Sequence, residues 1–133
     1  MNECPDYFEV AKKDFDTLDQ MLQELGIDVE TFTSDNEMMI GRRKKQSNPN
    51  FSFTWCLVLW DPEASITVEI HIGEIGVSFT IDYPERIWFA GLLEAGTYDD
   101  AFRAIASPLV IGLDYEKGLP VIKEIVGEYL KRV

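Results

Sequence analysis

Three stretches of alternating residues in the middle of the chain restrict its fold more than any other feature. They cover residues 51–60, 66–72 and 77–82, and in each of them every second side chain is apolar. Because successive side chains of a strand point to opposite faces, this period of two predicts strands with an apolar and a polar face. Turn residues separate the stretches, namely Asp61 to Glu63 and the pair Gly73 and Gly76. The sequence therefore predicts an antiparallel meander.

An amphipathic helix is predicted before this meander. Its apolar residues recur at spacings of three and four, and they are Phe8, Ala11, Phe15, Leu18, Leu22 and Leu25. Gly26 follows where a helix commonly ends. The charged residues between them, including Asp14 and Asp19, are predicted to lie on a wet, mostly negative face. Two shorter strands, over 27–33 and 38–41, bring the predicted sheet to about five strands.

Beyond Pro84 the pattern predicts helices over 85–95, 98–106 and 120–132, with Pro120 in a first helical turn. Residues 109–111 fit either a buried strand or an extended loop. We expect one α+β domain over 1–133, with all helices in a single layer on the apolar sheet face. The other face is then the expected partner surface, and it carries Glu69, His71, Ser78 and Thr80.

The chain is strongly acidic, with 24 Asp and Glu against 12 Lys and Arg, a net charge of −12. Residues 1–37 hold 11 acids and 2 bases, and residues 61–100 hold 9 acids and 1 base. This balance argues against a general nucleic-acid binder. Segregated acidic charge favours association with a basic partner, because complementary potentials raise association rates. The alternative is that the acidic surface only keeps the protein soluble.

Arg42, Arg43, Lys44 and Lys45 form a basic run within this acidic chain. One interpretation is a contact for a phosphate or an acidic patch. The other, which we prefer, is a solvated hairpin arm whose like charges discourage edge-to-edge pairing of sheets.

Catalytic signatures are sparse. His71 is the only histidine, and Glu69 lies on the same strand face, so the pair is the one candidate for acid–base chemistry. The sequence has no nucleophile motif, phosphate loop or standard metal-ligand spacing, so we expect no cofactor and no metal. Cys4 and Cys56 are not expected to pair, and Cys56 is interpreted as an inert buried thiol. The alternative is a small enzyme or ligand-binding domain that uses Glu69 and His71, with a pocket between the sheet and the helices after Pro84.

Residues 50–60 read NFSFTWCLVLW and are followed by Asp61. This stretch resembles a central strand of bacterial immunity proteins that neutralise contact-delivered toxins. The resemblance implies a small, acidic, cytoplasmic protein that binds a toxin domain tightly. The order of helix and antiparallel sheet also resembles small acidic secretion chaperones, although the later strands of those proteins are not evident here.

We therefore expect a non-enzymatic protein-binding module, an immunity or inhibitor protein that neutralises a basic partner such as a toxin, with a secretion-type chaperone as the alternative. The predicted partner-binding residues are Asp16, Asp19, Glu24, Trp60, Asp61, Glu63, Glu69, His71 and Glu74. A cytoplasmic monomer or homodimer is expected, with no nucleic acid and no membrane as partner, since no signal peptide or membrane span is visible.

Overall fold

The computed structural model describes residues 6–33, 39–44, 51–60, 63–72, 75–94, 105–106 and 112–131. In chain order the elements are helix α1 (Asp6–Gln23), strands β1 (Val29–Thr33), β2 (Met39–Lys44), β3 (Phe51–Trp60), β4 (Glu63–Ile72), β5 (Ile75–Tyr83), β6 (Ile87–Glu94), β7 (Ile105–Ala106) and β8 (Leu113–Asp114), and helix α2 (Tyr115–Leu130). The predicted α+β class is confirmed.

The strands form one antiparallel sheet in which β1 to β7 are neighbours in chain order. The short strand β8 pairs with β6 beside β7. Strand β3 has the predicted limits, and the other four predicted strands are present with shifted ends. The predicted meander is therefore confirmed, although the described ranges contribute eight strands to the sheet and not about five.

One face of the sheet holds the core, and both helices pack on it. From the strands it contains Phe51, Phe53, Trp55, Leu57, Ala64, Ile66, Val68, Ile70, Val77, Phe79, Ile81, Tyr83, Trp88 and Ala90. Helix α1 covers β3, β4 and β5 with the predicted stripe from Phe8 to Leu22. Helix α2 lies beside α1 over β4 and β6, and it buries Ile122 and Val126. The predicted single layer of helices on this face is confirmed.

The prediction of a helix over 85–95 is wrong, because this segment forms the strand β6. Trp88 and Ala90 of β6 point into the core, while Ile87 and Phe89 point to the other face. Apolar residues on both faces of a strand erase the alternation from which a strand is recognised.

Helix α2 starts earlier than predicted. Asp114 caps it by accepting a hydrogen bond from the backbone N–H of Lys117 at 2.9 Å. Pro120 therefore lies inside the helix and not in a first turn. Of the predicted helix over 98–106, only 105–106 are described, and they form β7; residues 109–111 lie outside the described ranges.

The expectation that Asp14 and Asp19 lie on a wet helix face is wrong. Both face the core, and they are 7% and 8% exposed. Asp19 receives a two-point contact from Arg42, with Nε at 3.0 Å from Oδ1 and Nη2 at 3.1 Å from Oδ2. Trp55 Nε1 also donates to Oδ1, at 2.8 Å. Burial alone would raise the pKa of Asp19, but the hydrogen bonds from Arg42, Trp55 and Gln23 outweigh it and hold that pKa below its ordinary value.

The described arginines of the basic run at 42–45 differ in their environment. Because Arg42 pairs with Asp19, the expectation of a solvated arm is wrong for this residue. Arg43 is exposed, and its guanidinium lies over the Phe32 ring at 4.9 Å. Lys44 is the last residue of β2, and Lys45 lies outside the described residues.

Candidate functional site

The sheet face turned away from both helices, here called the open face, carries the polar side chains of the meander. Its centre consists of short hydroxyl side chains on β3, β4 and β5, which are Ser52, Thr54, Ser65, Thr67, Ser78 and Thr80. All of them are half-buried by their neighbours in the sheet. The predicted polar face is therefore present, and it lies opposite the layer formed by α1 and α2.

Two phenylalanines stand at opposite sides of this face. The register places Phe32 opposite Gly41, and Thr80 opposite Phe89, so both rings lie on one line across six strands. At a strand spacing of about 4.8 Å, they are separated by about 24 Å along the sheet. Phe32 covers Gly41 so closely that a Cβ there would overlap the ring.

Phe89 forms an apolar patch together with Ile87. Phe89 is 53% exposed and Ile87 is 37% exposed. Among the described residues, the only other exposed large apolar side chain is Val10, on helix α1. Neighbouring exposed apolar side chains within a polar surface are typical of an interaction site.

A cavity of about 430 Å³, here called the acidic cavity, adjoins Phe89. It is lined by Val58, Ala64, Ser65, Asp82, Tyr83, Glu85 and Phe89. Val58, Ser65 and Asp82 lie side by side on three neighbouring strands, and Phe89 is the diagonal neighbour of Asp82. The lining thus combines an aromatic wall with two carboxylates, and no basic residue is among these described neighbours.

Glu69 and His71 lie on the open face, as predicted. In the register Glu69 is flanked by Thr54 and Ser78, and His71 is opposite Gly76. The imidazole of His71 occupies the space that a Cβ at Gly76 would need. Neither residue lines the acidic cavity, which lies on the open face and not between the sheet and the helices. The geometry therefore gives the His71 imidazole a packing role over Gly76.

The other predicted partner-binding residues do not form one surface with this pair. Asp16 and Glu24 are exposed on the helix side of the domain, whereas Asp19 is buried beneath Arg42. Trp60 and Glu63 face each other in the backbone register where β3 and β4 meet. Asp61 and Glu74 lie outside the described residues.

Asp16 borders a second cavity, of about 460 Å³, between α1 and strands β2 and β3. Its apolar wall is formed by Phe15, Met39, Ile40, Leu57 and Leu59. The basic side chains at its rim are engaged, since Lys12 pairs with Glu9 at 3.3 Å and Arg42 pairs with Asp19. This cavity is therefore an apolar groove with the exposed carboxylate of Asp16 at its rim.

Cys56 is half-buried on the open face, and burial followed by the charge of Glu69 raises the pKa of its thiol. Within the described ranges, no group of three or more His, Cys, Asp and Glu side chains is placed to hold a metal ion. Of the two helices described, neither has the length and apolar character needed to cross a membrane.

Comparison with known proteins gives no match, whether to a protein-family model, a curated protein or a solved structure. The site is therefore derived from its own geometry. Sequence reasoning missed Ile87, Phe89 and Glu85, because their segment was predicted to be a helix. The signal that was available is the turn at Pro84, after which a second strand of a hairpin fits as well as a helix.

Proposed function

We propose that this protein is a non-enzymatic binding module that neutralises or carries a basic protein partner, acting as an immunity or inhibitor protein. The observation that carries this proposal is the exposed patch of Ile87 and Phe89 beside the carboxylates of Asp82 and Glu85. Interface hot spots are commonly aromatic side chains surrounded by groups that complement the charge of the partner.

The overall charge supports the same proposal. The chain carries −12, and Asp82 and Glu85 are exposed where the open face meets the β5–β6 turn. The electrostatic field of the acidic surface attracts a basic partner before contact. The apolar patch then stabilises the complex, because its surface is removed from water on binding. Toxin neutralisation fits this combination, because an inhibitor must associate fast and dissociate slowly.

The test is capture of a partner from extracts of the source cell, with the full chain as bait. The wild-type chain is expected to retain a basic protein at about 50 mM salt and to retain less of it at about 300 mM, because surface electrostatics are screened. The double variant Ile87→Ser/Phe89→Ser is expected to lose most of this capture.

Val10→Ser is the matched control, since Val10 is 38% exposed but lies on helix α1. Capture that is insensitive to salt, or that Val10→Ser weakens as much as the double variant does, would contradict the proposal. The identity of the captured protein separates the two classes: a folded toxin domain indicates an immunity protein, and an unfolded export substrate indicates a chaperone.

A further inference from the structure

The cover that the two helices give to the core side of the sheet thins out at strand β2. Helix α1 lies over β3, β4 and β5, and α2 lies over β4 and β6. Leu57 of β3 is 3% exposed, whereas Ile40, its neighbour in the register on β2, is only half-buried. The cavity of about 460 Å³ between α1 and strands β2 and β3 lies at this step, and it is here called the edge groove.

The edge groove has apolar walls and a compact shape. Phe15 of α1 and Leu57 of β3 are buried, and Met39, Ile40 and Leu59 are half-buried beside them. The lining comes from about one turn of α1 and from two or three residues of each strand, so it extends for less than about 10 Å along either element. Its volume is within the usual range for ligand sites, about 300–1,000 Å³. These dimensions suit a small ligand better than a long protein segment.

Asp16 provides a negative charge at the rim of this groove. It is exposed on α1, and no described side chain pairs with its carboxylate. The ammonium of Lys12 is 3.3 Å from the carboxylate of Glu9, which lies one turn further from Asp16 along the helix. Arg42 is held by Asp19, at 3.0 and 3.1 Å. The two basic side chains described at the rim therefore leave the charge of Asp16 available to a ligand.

The sequence between β1 and β2 has the same sign of charge. Thr33 and Met39 both line the edge groove, and the five residues between them in the sequence include two acids and no base. Thr33 is exposed and adds a hydroxyl oxygen to the rim, which can accept a hydrogen bond from an ammonium. We infer that the edge groove binds a small amphipathic amine, whose aliphatic or aromatic body fills the groove while its ammonium pairs with Asp16.

Both parts of such a ligand contribute to its selection. Each methylene group that leaves water strengthens binding by about fourfold, so the body supplies most of the affinity. The ammonium is attracted by Asp16 and by the net charge of −12, and an anion of the same body is repelled by both. The edge groove lies on the helix side of the sheet, apart from the patch of Ile87 and Phe89 on the open face, so this site goes beyond the proposed function.

The test is titration of the full chain with octylammonium, followed by the backbone amide signals of Asp16, Ile40 and Leu57. Saturable shifts that are confined to the edge groove are expected, with a dissociation constant on the order of millimolar for a probe of so few atoms. Ethylammonium has the same head without the body, and octanoate has an apolar body with the opposite charge. Each is expected to bind at least about tenfold more weakly. Equal binding of either analogue, or no saturable shift with octylammonium, overturns the inference.

Reversal of the rim charge gives the second readout. Asp16→Lys is expected to weaken octylammonium by about fivefold or more and to strengthen octanoate, because the charge beside the groove changes sign. Glu24→Lys changes the net charge by the same amount at an exposed residue just beyond the C-terminal end of α1, and it is expected to leave both affinities within about twofold. Equal effects of the two variants overturn the inference, because they would show attraction by net charge alone.

A protein segment is the other occupant that an apolar groove can accept. Octylammonium that displaces the protein captured in the test of the proposed function would assign the edge groove to that partner, and it overturns the small-molecule site. Capture that octylammonium leaves unchanged supports two separate sites. Saturable binding of octylammonium that depends on Asp16, without any captured partner that depends on Ile87 and Phe89, keeps the amine site and overturns the proposed function.

Discussion

The phenol of Tyr83 donates a hydrogen bond to the carboxylate of Asp14 at 2.6 Å, across a separation of 69 residues. The same carboxylate accepts two hydrogen bonds from the guanidinium of Arg86, which has a positive φ of 56° in the turn between β5 and β6. A buried carboxylate is tolerated when all its strong acceptor sites are engaged in this way. Helix α1 is thereby tied to the far end of the β5–β6 hairpin.

Asp14→Asn is expected to lower the free energy of unfolding by about 1.5–3 kcal/mol, the range for hydrogen bonds to charged groups. The variant keeps the shape of the side chain but removes the charge that Arg86 faces. Urea denaturation measures the loss. Asp16→Asn, an exposed change on the same helix, should stay within about 0.5 kcal/mol of the wild type. Equal losses for the two variants would refute a special role of Asp14.

The lowered pKa of Asp19 predicts a specific dependence of stability on pH. Because the folded-state pKa lies below the unfolded value near 3.8, the stabilisation is fully present above that value and is lost as the pH falls through the folded pKa. Asp19→Asn should therefore be clearly less stable than the wild type at neutral pH, and the difference should shrink below about pH 4. Gln20→Ala changes an exposed residue of the same helix that has no titratable group, and it serves as the control with a constant difference. A difference in unfolding free energy between Asp19→Asn and the wild type that does not change with pH would contradict the prediction.

Two buried phenols predict a loss of stability in alkali. Burial, followed by the hydrogen bond to Asp14, raises the pKa of Tyr83, and burial followed by the charge of Asp14 raises the pKa of Tyr115. The unfolded chain ionises first, near pH 10, so the free energy of unfolding should fall as the pH rises above this value. Each tyrosine contributes up to about 1.4 kcal/mol per pH unit. Tyr83→Phe should show a shallower decline between about pH 9 and pH 11, and an unchanged slope would count against this cause.

The two faces of the sheet should respond differently to truncation. Phe15 is 2% exposed between helix α1 and the sheet, so Phe15→Ala should cost about 3–5 kcal/mol of unfolding free energy. Thr80 lies on the open face, and Thr80→Ala should cost less than about 1 kcal/mol. Thermal or urea unfolding of the pair measures the contrast. Similar costs at the two positions would mean that the open face is also packed as a core.

Two glycines of helix α2 provide an internal comparison. A Cβ at Gly118 would overlap Trp88, whose indole N–H donates to the carbonyl of Tyr115 at 3.1 Å. Gly118→Ala should therefore destabilise the fold by about 1–3 kcal/mol through overpacking. Gly127 has nothing within 4 Å of the corresponding position, and Gly127→Ala should stabilise the helix by about 0.5–1 kcal/mol. Unfolding midpoints of both variants should shift in opposite directions.

The sequence was sufficient to predict those helices and strands whose two faces differ in polarity. Helix α1 and strands β3, β4 and β5 have one apolar and one polar face, so their period was readable. Strand β6 was not recognised because Ile87 and Phe89 make its open face apolar as well. Asp14 and Asp19 were predicted to be solvent-exposed because charged residues are rarely buried without partners, and the arginines that pair with them are 72 and 23 residues away.

For the same reason, only part of the candidate site could be predicted from the sequence. The pattern placed Glu69 and His71 correctly on the polar face, but it had no means to show that the imidazole fills the space above Gly76. The acidic cavity depends on β6 being a strand, since only then is Phe89 diagonal to Asp82. One wrong assignment of secondary structure therefore hid the whole apolar patch.

The spacing of the two buried aspartates fixes the rotation and the axial position of helix α1 on the sheet. Asp14 and Asp19 are five residues apart and are held by arginines from different places in the sheet, Arg86 in the β5–β6 turn and Arg42 in β2. Each inserted residue turns an α-helix by about 100° and lengthens it by about 1.5 Å. One extra residue between the aspartates would let only one of them reach its arginine at a time. The two ion pairs can therefore form together at only one rotation and one axial position of the helix. A stripe of interchangeable apolar side chains fixes the rotation and the axial position much less closely.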